Sequence, residues 1–153
     1  APLRSVINYC RHYRDRYGKI DIVYGSRSMQ DLVDYKEIID EWSADAGVNV
    51  YLTIDREQPE WKGHVGFVPT YVKEIGFSTD KIAILCGPPI MIKFTLAGLQ
   101  EIGFDKTQVY TTMELRMKCG IGKCGRCNIG SKYVCKDGPV FRCDELDELP
   151  DEY

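Results

Sequence analysis

Cysteine is concentrated near the C-terminal end of this 153-residue sequence, where five of its seven cysteines lie within 25 residues. Four of them form a tight series with glycines in between: Cys119, Cys124, Cys127 and Cys135, with Gly120, Gly122 and Gly125. Thiolates are ligands for iron and zinc, and glycine lets backbone N–H groups approach sulfur closely. The series therefore predicts a site where four thiolates hold an inorganic centre.

The intervals within this series discriminate between kinds of centre. Four residues and then two separate the first three cysteines, which is the order of plant-type 2Fe-2S sites, although the fourth cysteine of those proteins lies much further along. A structural zinc site usually has two C-x2-C pairs, and only Cys124 and Cys127 form one here. We expect a 2Fe-2S cluster, with zinc as the alternative. A thiol–disulfide role for Cys124 and Cys127 is disfavoured, because that motif belongs in a βαβ context.

The other cysteines and the histidines lack such spacing. Cys143 follows Cys135 by eight residues and is expected to be a bystander, although it could replace one ligand. Cys10 and Cys86 stand alone, and neither His12 nor His64 has a partner at ligand spacing. An odd cysteine count without an apolar leader favours a reducing, cytoplasmic compartment over a secreted disulfide framework.

Composition limits the remaining possibilities. With 44% hydrophobic and 28% charged residues, the chain is long enough for one ordinary domain with a small satellite. Its net charge of −3 gives no global positive field for nucleic acid. The longest apolar runs are about six residues, far short of the roughly 20 that a membrane-spanning helix needs.

Hydrophobic periodicity predicts alternating helices and strands before the cysteine series. Helices are expected over 2–17, 29–46 and 90–102, and residues 65–75 should be a helix or partly helical. Strands are expected over 20–24, 48–54, 81–85 and 108–112. This alternation predicts a doubly wound α/β domain with a parallel sheet over residues 1–114. Since such domains usually open with a strand, the first strand is expected to be missing. Residues 115–153 should form a small module stapled by its bound centre rather than by a core, ending in an acidic tail.

Polar residues follow the first two predicted strands, at the edge of the sheet where open α/β folds bind ligands. Gly25, Ser26 and Arg27 end or follow one strand, and Asp55 and Arg56 follow the next. An arginine there can pair with a phosphate as a bidentate donor, or be an ordinary surface residue. A carboxylate there can accept a hydrogen bond and would repel a phosphate.

The motifs as a set resemble a known family. They are Ala1-Pro2-Leu3, Tyr24-Gly25-Ser26-Arg27, Asp55-Arg56, Trp61-Lys62-Gly63-His64-Val65-Gly66, Cys86-Gly87-Pro88-Pro89-Ile90-Met91 and the cysteine series with Val134-Cys135-Lys136-Asp137-Gly138-Pro139. Together they resemble the NAD(P)-binding half of the ferredoxin-NADP reductase superfamily. The narrower branch that they resemble holds the electron-transfer subunits of dihydroorotate dehydrogenase, the gamma subunits of sulfhydrogenases and the corresponding subunits of anaerobic sulfite reductases.

That resemblance implies roles for particular residues. Ala1, Pro2, Gly25, Ser26, Arg27, Asp55, Arg56, Gly87, Pro88 and Pro89 would contact the nucleotide. Asp55 favours NAD over NADP, although Arg56 could hold a 2′-phosphate. Cys86 would lie near the hydride-donating carbon in a catalytic role, with a small buried hydrophobe at a strand end as the plain alternative.

The resemblance also implies a function. The chain would be part of an electron-transfer subunit that links NAD(P)H, FAD on a preceding domain, the 2Fe-2S cluster and a catalytic partner subunit. Without the flavin domain it should be inactive alone. The basic residues between 116 and 136 could steer an acidic partner. The alternative function is a non-catalytic, zinc-stapled module that binds nucleotide or bridges subunits.

Overall fold

The computed structural model describes residues 2–146. Its helices are α1 (Arg4–His12), α2 (Tyr35–Glu37), α3 (Val68–Ile75), α4 (Pro89–Glu101) and α5 (Val134–Asp137). Its strands are β1 (Ile20–Ser26), β2 (Val48–Ile54), β3 (His64–Val65), β4 (Ala83–Leu85), β5 (Val109–Thr112), β6 (Asn128–Ile129), β7 (Lys132–Tyr133) and β8 (Val140–Arg142). Two compact units divide the chain, with the boundary after Ile75.

In the first unit, β1 and β2 pair in parallel along their whole length, from Ile20 opposite Val48 to Ser26 opposite Ile54. The short strand β3 adds to the other side of β2, also in parallel. The core of the unit consists of four buried residues: Ile22 of β1 and Val48 of β2, together with Ile38 and Trp42 of the crossover between these strands. The parallel pairing and the crossover between β1 and β2 confirm the α/β class expected from the alternating pattern.

The segment predicted as one helix over 29–46 is broken, so that prediction was wrong in detail. A 3-10 turn at Met29–Asp31 ends at Leu32, which has an extended backbone. Asp34 then adopts a left-handed conformation with φ of 57° before α2 begins. Helix α2 continues into a π-helical turn, Ile38–Trp42. Because of the break, Val33 is exposed rather than buried with Leu32.

The first predicted helix is shorter than expected, and the segment 65–75 is partly helical, one of the two forms expected for it. The first spans Arg4–His12, and Tyr13 leaves helical geometry before a 3-10 turn at Arg14–Arg16. In the segment 65–75, Val65 belongs to β3 opposite Ile54, and α3 starts only at Val68. Pairing with β2 satisfies the backbone of His64 and Val65, and this tertiary contact overrides local propensity.

In the second unit, β4 and β5 pair in parallel and α4 connects them. Strand β8 joins the other side of β5 in antiparallel orientation, with Phe141 opposite Thr111. The sheet is therefore mixed rather than purely parallel. Its antiparallel strand comes from the cysteine-rich segment that was expected to form a separate module.

A hydrophobic cluster supports the cysteine-rich segment, which the sequence analysis did not expect. Its buried members are Cys127, Ile129, Val134 and Phe141, surrounded by Met113, Leu115, Tyr133, Cys135 and Leu146. Apolar burial thus stabilises this segment in addition to any bound centre. Among residues 2–146, none of the helices has the length and apolar character needed to cross a membrane.

Candidate functional site

A surface cleft of about 530 Å³ lies where β1 and β2 end. It is lined by the residues that follow these two strands: Arg27, Ser28, Asp31, Asp55, Arg56, Glu57 and Gln58. The structure thus brings together three residues that the sequence assigned to nucleotide binding, Arg27, Asp55 and Arg56. Ser28 and Gln58 were not anticipated, although Ser28 directly follows Arg27 and Gln58 lies two residues after Arg56.

Hydrogen bonds fix the two loops that form this cleft. The Asp55 N–H donates to the Ser26 carbonyl oxygen over 3.1 Å, which continues the β1–β2 ladder by one bond. The Met29 N–H donates to Gln58 Oε1 over 2.7 Å. The Ser26 hydroxyl donates to the Ser28 carbonyl over 2.6 Å, so Ser26 stabilises the start of the loop that follows β1. These bonds connect the loop that follows β1 with the loop that follows β2.

The charges in the cleft are available to a ligand. Within residues 2–146, neither Arg27 nor Arg56 forms an ion pair, and the Asp55 carboxylate has no hydrogen-bond donor. Asp31, in contrast, accepts a hydrogen bond from the Ser28 hydroxyl over 2.8 Å. The two guanidinium groups can bind a phosphate, and the Asp55 carboxylate can accept a hydrogen bond from a ribose hydroxyl. Asp31 and Glu57 add two further carboxylates to the lining.

Gly25 has a packing role that the sequence analysis did not foresee. It lies within β1 rather than after it, opposite Thr53 of β2. A Cβ at this position would collide with the Cγ2 methyl of Val68 at the start of α3, and would lie 3.2 Å from the Thr53 methyl. The absence of a side chain therefore lets α3 approach β1 closely.

His64 is held within the first unit by contacts with neighbouring side chains. Its ring stacks on Tyr71 with centroids 3.7 Å apart. Its Nδ1 lies 2.9 Å from the Thr53 hydroxyl, and its Nε2 lies 2.9 Å from Glu74 Oε2. These contacts link β2, β3 and α3, which gives His64 a structural role.

The Cys86 turn follows β4 directly and leads into α4. Cys86 is half-buried, and the next three residues are exposed. Pro88 caps α4 and Pro89 is its first residue, which suits the fixed φ of proline. Gly87 packs against the terminal methyl of Met91, so a side chain at Gly87 would displace that methyl. Pro2 precedes α1 and is exposed, and Ala1 lies outside the described residues.

Backbone donors surround the sulfur of Cys119. The N–H of Lys123 donates to Cys119 Sγ over 3.3 Å. Hydrogen bonds from the N–H groups of Ile121, Cys124 and Lys123 lower the pKa of the Cys119 thiol to about 6. The Cys124 side chain contributes a further hydrogen bond, so these two sulfurs are neighbours. Such donors stabilise thiolate, which is the form that binds metal.

A second pair of sulfurs is formed by Cys127 and Cys135. Their side chains are in hydrogen-bond contact, and this contact together with burial raises the pKa of Cys135. The N–H of Gly122 donates to Cys135 Sγ over 3.2 Å, which ties this second pair to the loop that holds the first. All four predicted ligands are thus gathered around one loop as two pairs.

A β-hairpin explains why the fourth cysteine can follow so soon after the third. Strands β6 and β7 pair in antiparallel orientation, with Asn128 opposite Tyr133. The Val134 N–H donates to the Cys127 carbonyl over 2.9 Å, which extends the hairpin to the cysteines. Gly130 turns the chain with φ of 53°. The Gly130-Ser131 pair, a typical two-residue turn sequence, is the feature from which this hairpin could have been predicted.

Of the remaining cysteines, Cys10 lies on α1 and Cys86 follows β4. Cys143 is buried at the start of the 3-10 turn Cys143–Leu146. All seven cysteines are thiols rather than disulfides. In the part of the chain that the structure describes, no three histidine, cysteine or acidic side chains converge on a single ion position.

Comparison with known proteins identifies the two parts of the chain. Residues 1–97 match the oxidoreductase NAD-binding domain family. The chain belongs to this family. Residues 114–147, which include the cysteine series, match the iron-sulfur cluster binding domain of dihydroorotate dehydrogenase B. The second match favours iron–sulfur over zinc for the four cysteines.

Two relatives have the same combination along nearly the whole chain. The gamma subunit of sulfhydrogenase 1 from Pyrococcus furiosus is 37% identical, over 98% of this chain and 53% of its own length. A probable dihydroorotate dehydrogenase B (NAD(+)) electron transfer subunit from Thermococcus kodakarensis is 30% identical, over 90% of this chain and 53% of its own length. The chain therefore spans about half the length of the curated relatives that it matches.

Solved structures show the same fold. An NADH-dependent reduced ferredoxin-NADP oxidoreductase superposes on 97% of this chain with a TM-score of 0.61 at 24% sequence identity, and this chain covers 53% of it. The fold is therefore ferredoxin reductase-like, as the sequence motifs implied.

Proposed function

We propose that this chain is the nucleotide-binding and cluster-binding portion of an electron-transfer subunit that links NAD(P)H to a partner oxidoreductase. One observation carries the proposal: a chain of the NAD-binding oxidoreductase family also gathers four cysteine sulfurs, in two pairs, around a single glycine-rich loop. Nicotinamide carries two electrons as hydride, whereas iron–sulfur centres take one at a time. A chain that binds both serves electron transfer.

The cysteine geometry supports a 2Fe-2S cluster. Cys119 would bind one iron with Cys124, and Cys127 would bind the other with Cys135, following the two sulfur pairs. The intervals of four and two residues between the first three cysteines favour two irons over one zinc. The Gly122 and Lys123 N–H groups, which already donate to sulfur, would hold the ligands in place and tune the reduction potential.

The cleft at the ends of β1 and β2 supports binding of the adenosine half of NAD(H). Arg27 would pair with a phosphate, and Asp55 would accept a hydrogen bond from the ribose 2′-hydroxyl. The exposed Cys86-Gly87-Pro88-Pro89 turn would approach the nicotinamide, with Gly87 allowing close contact. Pro2 would lie near the cofactor. We favour NAD because Asp55 would repel a 2′-phosphate, whereas Arg56 is the residue that would permit NADP.

Two further components belong to the proposal. FAD, when bound to a preceding domain, supplies the conversion of hydride into single electrons. A partner subunit, as in the sulfhydrogenases and dihydroorotate dehydrogenases that the relatives are named for, would receive those electrons or supply them. The roles of this chain's residues are to hold the nucleotide and the cluster and to present the cluster to the partner.

Metal and sulfide analysis of protein purified without oxygen tests the cluster assignment. We expect about two irons and two acid-labile sulfides per chain, with visible absorption that dithionite bleaches. Cys135→Ser should abolish most of this absorption, because it removes one ligand from the second pair. Cys10→Ser is the matched control, since Cys10 lies on α1 in the first unit, and it should retain iron and colour. Stoichiometric zinc without iron would instead support the zinc-stapled alternative.

A further inference from the structure

The loop that holds the cysteines exposes large apolar side chains. Ile121 is 62% exposed and Met117 is 48% exposed. Gly120 and Gly122 flank Ile121 with φ of 70° and 69°, so the backbone turns sharply on either side of it. Ligation needs those glycines, but it does not need isoleucine between them. Ile121 and Met117 are therefore apolar surface on the same short segment as two of the predicted ligands, Cys119 and Cys124.

Cations surround this loop without acidic partners. Arg116, Lys118, Lys123, Arg126, Lys132 and Lys136 lie between residues 114 and 136, where Glu114 is the single acid. Within residues 2–146, none of these six cations forms an ion pair. In contrast, Arg4, Arg11 and Arg142 elsewhere on the surface are all paired with carboxylates.

The cations are arranged near the exposed apolar tip. Lys123 is two residues from Ile121, and Lys136 packs its aliphatic chain against Gly122, where its Cδ would lie 3.1 Å from a Cβ. Arg126 is exposed on the far side of Cys124. Lys136 thus lies beside the loop, and Lys123 and Arg126 are exposed on the same segment as Ile121. Charged residues next to an exposed apolar residue suit a protein–protein contact that is steered by charge.

We propose that the segment Arg116–Arg126, with Lys136 beside it, docks an acidic redox protein whose carboxylates surround an apolar pocket for Ile121. This inference rests on the proposed electron-transfer function and specifies the chemistry of the partner. A protein occupant fits better than nucleic acid, because the segment has no aromatic side chains for stacking on bases and its centre is aliphatic. Exposed Cys124 lies within the same surface, so docking there would bring the partner next to the cluster ligands.

Stopped-flow kinetics with two protein acceptors of opposite charge test the proposal. The cluster-loaded chain is reduced with dithionite and mixed with cytochrome b5, which is acidic, or with cytochrome c, which is basic. We expect the rate constant with cytochrome b5 to fall as salt is added, and that with cytochrome c to rise. Lys123→Glu should lower the cytochrome b5 rate on the order of tenfold at low salt, with little effect at high salt.

The apolar centre is tested separately. Ile121→Ser should lower the cytochrome b5 rate at every ionic strength, because an apolar contact is not screened by salt. Lys19→Glu, an exposed lysine of the first unit, is the matched charge control and should leave all rates unchanged. The cluster midpoint potential is measured for each variant, so that a change in driving force is separated from a change in docking.

The outcomes separate this inference from the proposed function. If Lys123→Glu and Ile121→Ser change neither rate while the cluster spectrum and potential are intact, the docking surface is wrong and the electron-transfer proposal stands. A chain without iron would overturn the proposed function itself. Tight binding of a duplex DNA at physiological salt that Lys123→Glu abolishes would assign this surface to nucleic acid and overturn the proposal.

Discussion

Backbone N–H groups, rather than side chains, prepare the cysteine loop for the ligand role that we propose. Three of them point at Cys119 and lower its pKa to about 6, which favours the thiolate. The Gly122 N–H donates in the same way to Cys135 over 3.2 Å. Because these donors belong to the main chain, substitution of Lys123 should leave its N–H contact with Cys119 in place. The loop conformation therefore matters more than the identity of its polar side chains.

Asp55 is the residue whose substitution tests nucleotide choice. Asp55→Ala should weaken NADH binding by about 1–2 kcal/mol, roughly tenfold, because a hydrogen bond from a ribose hydroxyl to a carboxylate is lost. NADPH binding should weaken less or improve, since repulsion of the 2′-phosphate disappears. Isothermal titration with both nucleotides measures the two effects. Asp40→Asn, exposed on the π-helical turn, should change neither affinity, and equal losses for both nucleotides would remove Asp55 from the ribose site.

At the scale of elements, strand pairing positions the cysteines and the charged residues of the cleft. The β6–β7 hairpin returns the chain after six residues, which is why Cys127 and Cys135 become neighbours despite their separation in sequence. Strands β1 and β2 stay in register up to Ser26 and Ile54, so the loops that carry Arg27 and Asp55 leave the sheet side by side. Each site therefore depends on a pairing between elements.

The β1–α3 contact gives a stability prediction. Gly25→Ala should lower the free energy of unfolding of the first unit by about 1–3 kcal/mol, because the new methyl meets Val68 and overpacks the contact. The double variant Gly25→Ala with Val68→Ala should recover much of the loss. Gly18→Ala is the control, since nothing lies within 4 Å of its Cβ position. Urea unfolding followed by tryptophan fluorescence reports on this unit, because Trp42 and Trp61 both belong to it. Normal stability of Gly25→Ala would contradict the packing role.

The α1–α2 contact gives a pH prediction. Arg4 donates to Glu37 over 2.8 Å and Asn8 donates over 3.3 Å, and the Arg4 hydrogen bond is the main cause of the lowered pKa of Glu37. A carboxylate with a lowered pKa stabilises the folded state above its unfolded pKa, and this contribution is lost as the pH falls through the folded value. Unfolding free energy should therefore fall more steeply from about pH 5 to pH 3 in the wild type than in Glu37→Gln.

The control for this pH dependence is Glu60→Gln, which changes an exposed glutamate in the same unit. Its urea-unfolding midpoints should follow the wild-type pH curve. Identical pH slopes for Glu37→Gln and the wild type would show that the Arg4–Glu37 pair does not stabilise the fold.

At the scale of the whole molecule, the chain joins a nucleotide-binding family domain to an iron–sulfur domain over about half the length of its relatives. Two-electron and one-electron carriers exchange electrons poorly without an intermediary that handles both, which is the role of flavin. The chain therefore contributes two of the three redox sites that the proposed function requires.

A reduction experiment tests this division of labour. Dithionite should bleach the cluster of the isolated, loaded chain within the mixing time, whereas NADH in excess should leave it oxidised over minutes. Addition of a longer version of the chain that carries the flavin domain should make NADH effective. Rapid bleaching by NADH alone would show that the chain transfers electrons without flavin. The visible absorption of the cluster is the readout in each case.

The sequence by itself determined the features that depend on local spacing and periodicity. The interval of four, two and seven residues between glycine-flanked cysteines predicted an iron–sulfur centre, and the matched family bears out that choice over zinc. Residues 48–54 and 109–112 are strands almost as predicted, because apolar runs bounded by polar turns have few alternatives. The individual nucleotide contacts remain predictions.

Tertiary structure decided the rest, because those features depend on contacts between segments far apart in sequence. Pairing with β5 turned Val140–Arg142 into an antiparallel strand of the sheet, which no local pattern announced. Pairing with β2 made His64 and Val65 a strand, and the close approach of Val68 gave Gly25 its role in packing. The left-handed Asp34 broke the expected helix over 29–46 and turned Val33 outward while Leu32 stayed buried. A sequence encodes which residues prefer to be buried or extended, but the partner that satisfies each preference is chosen only when the segments meet.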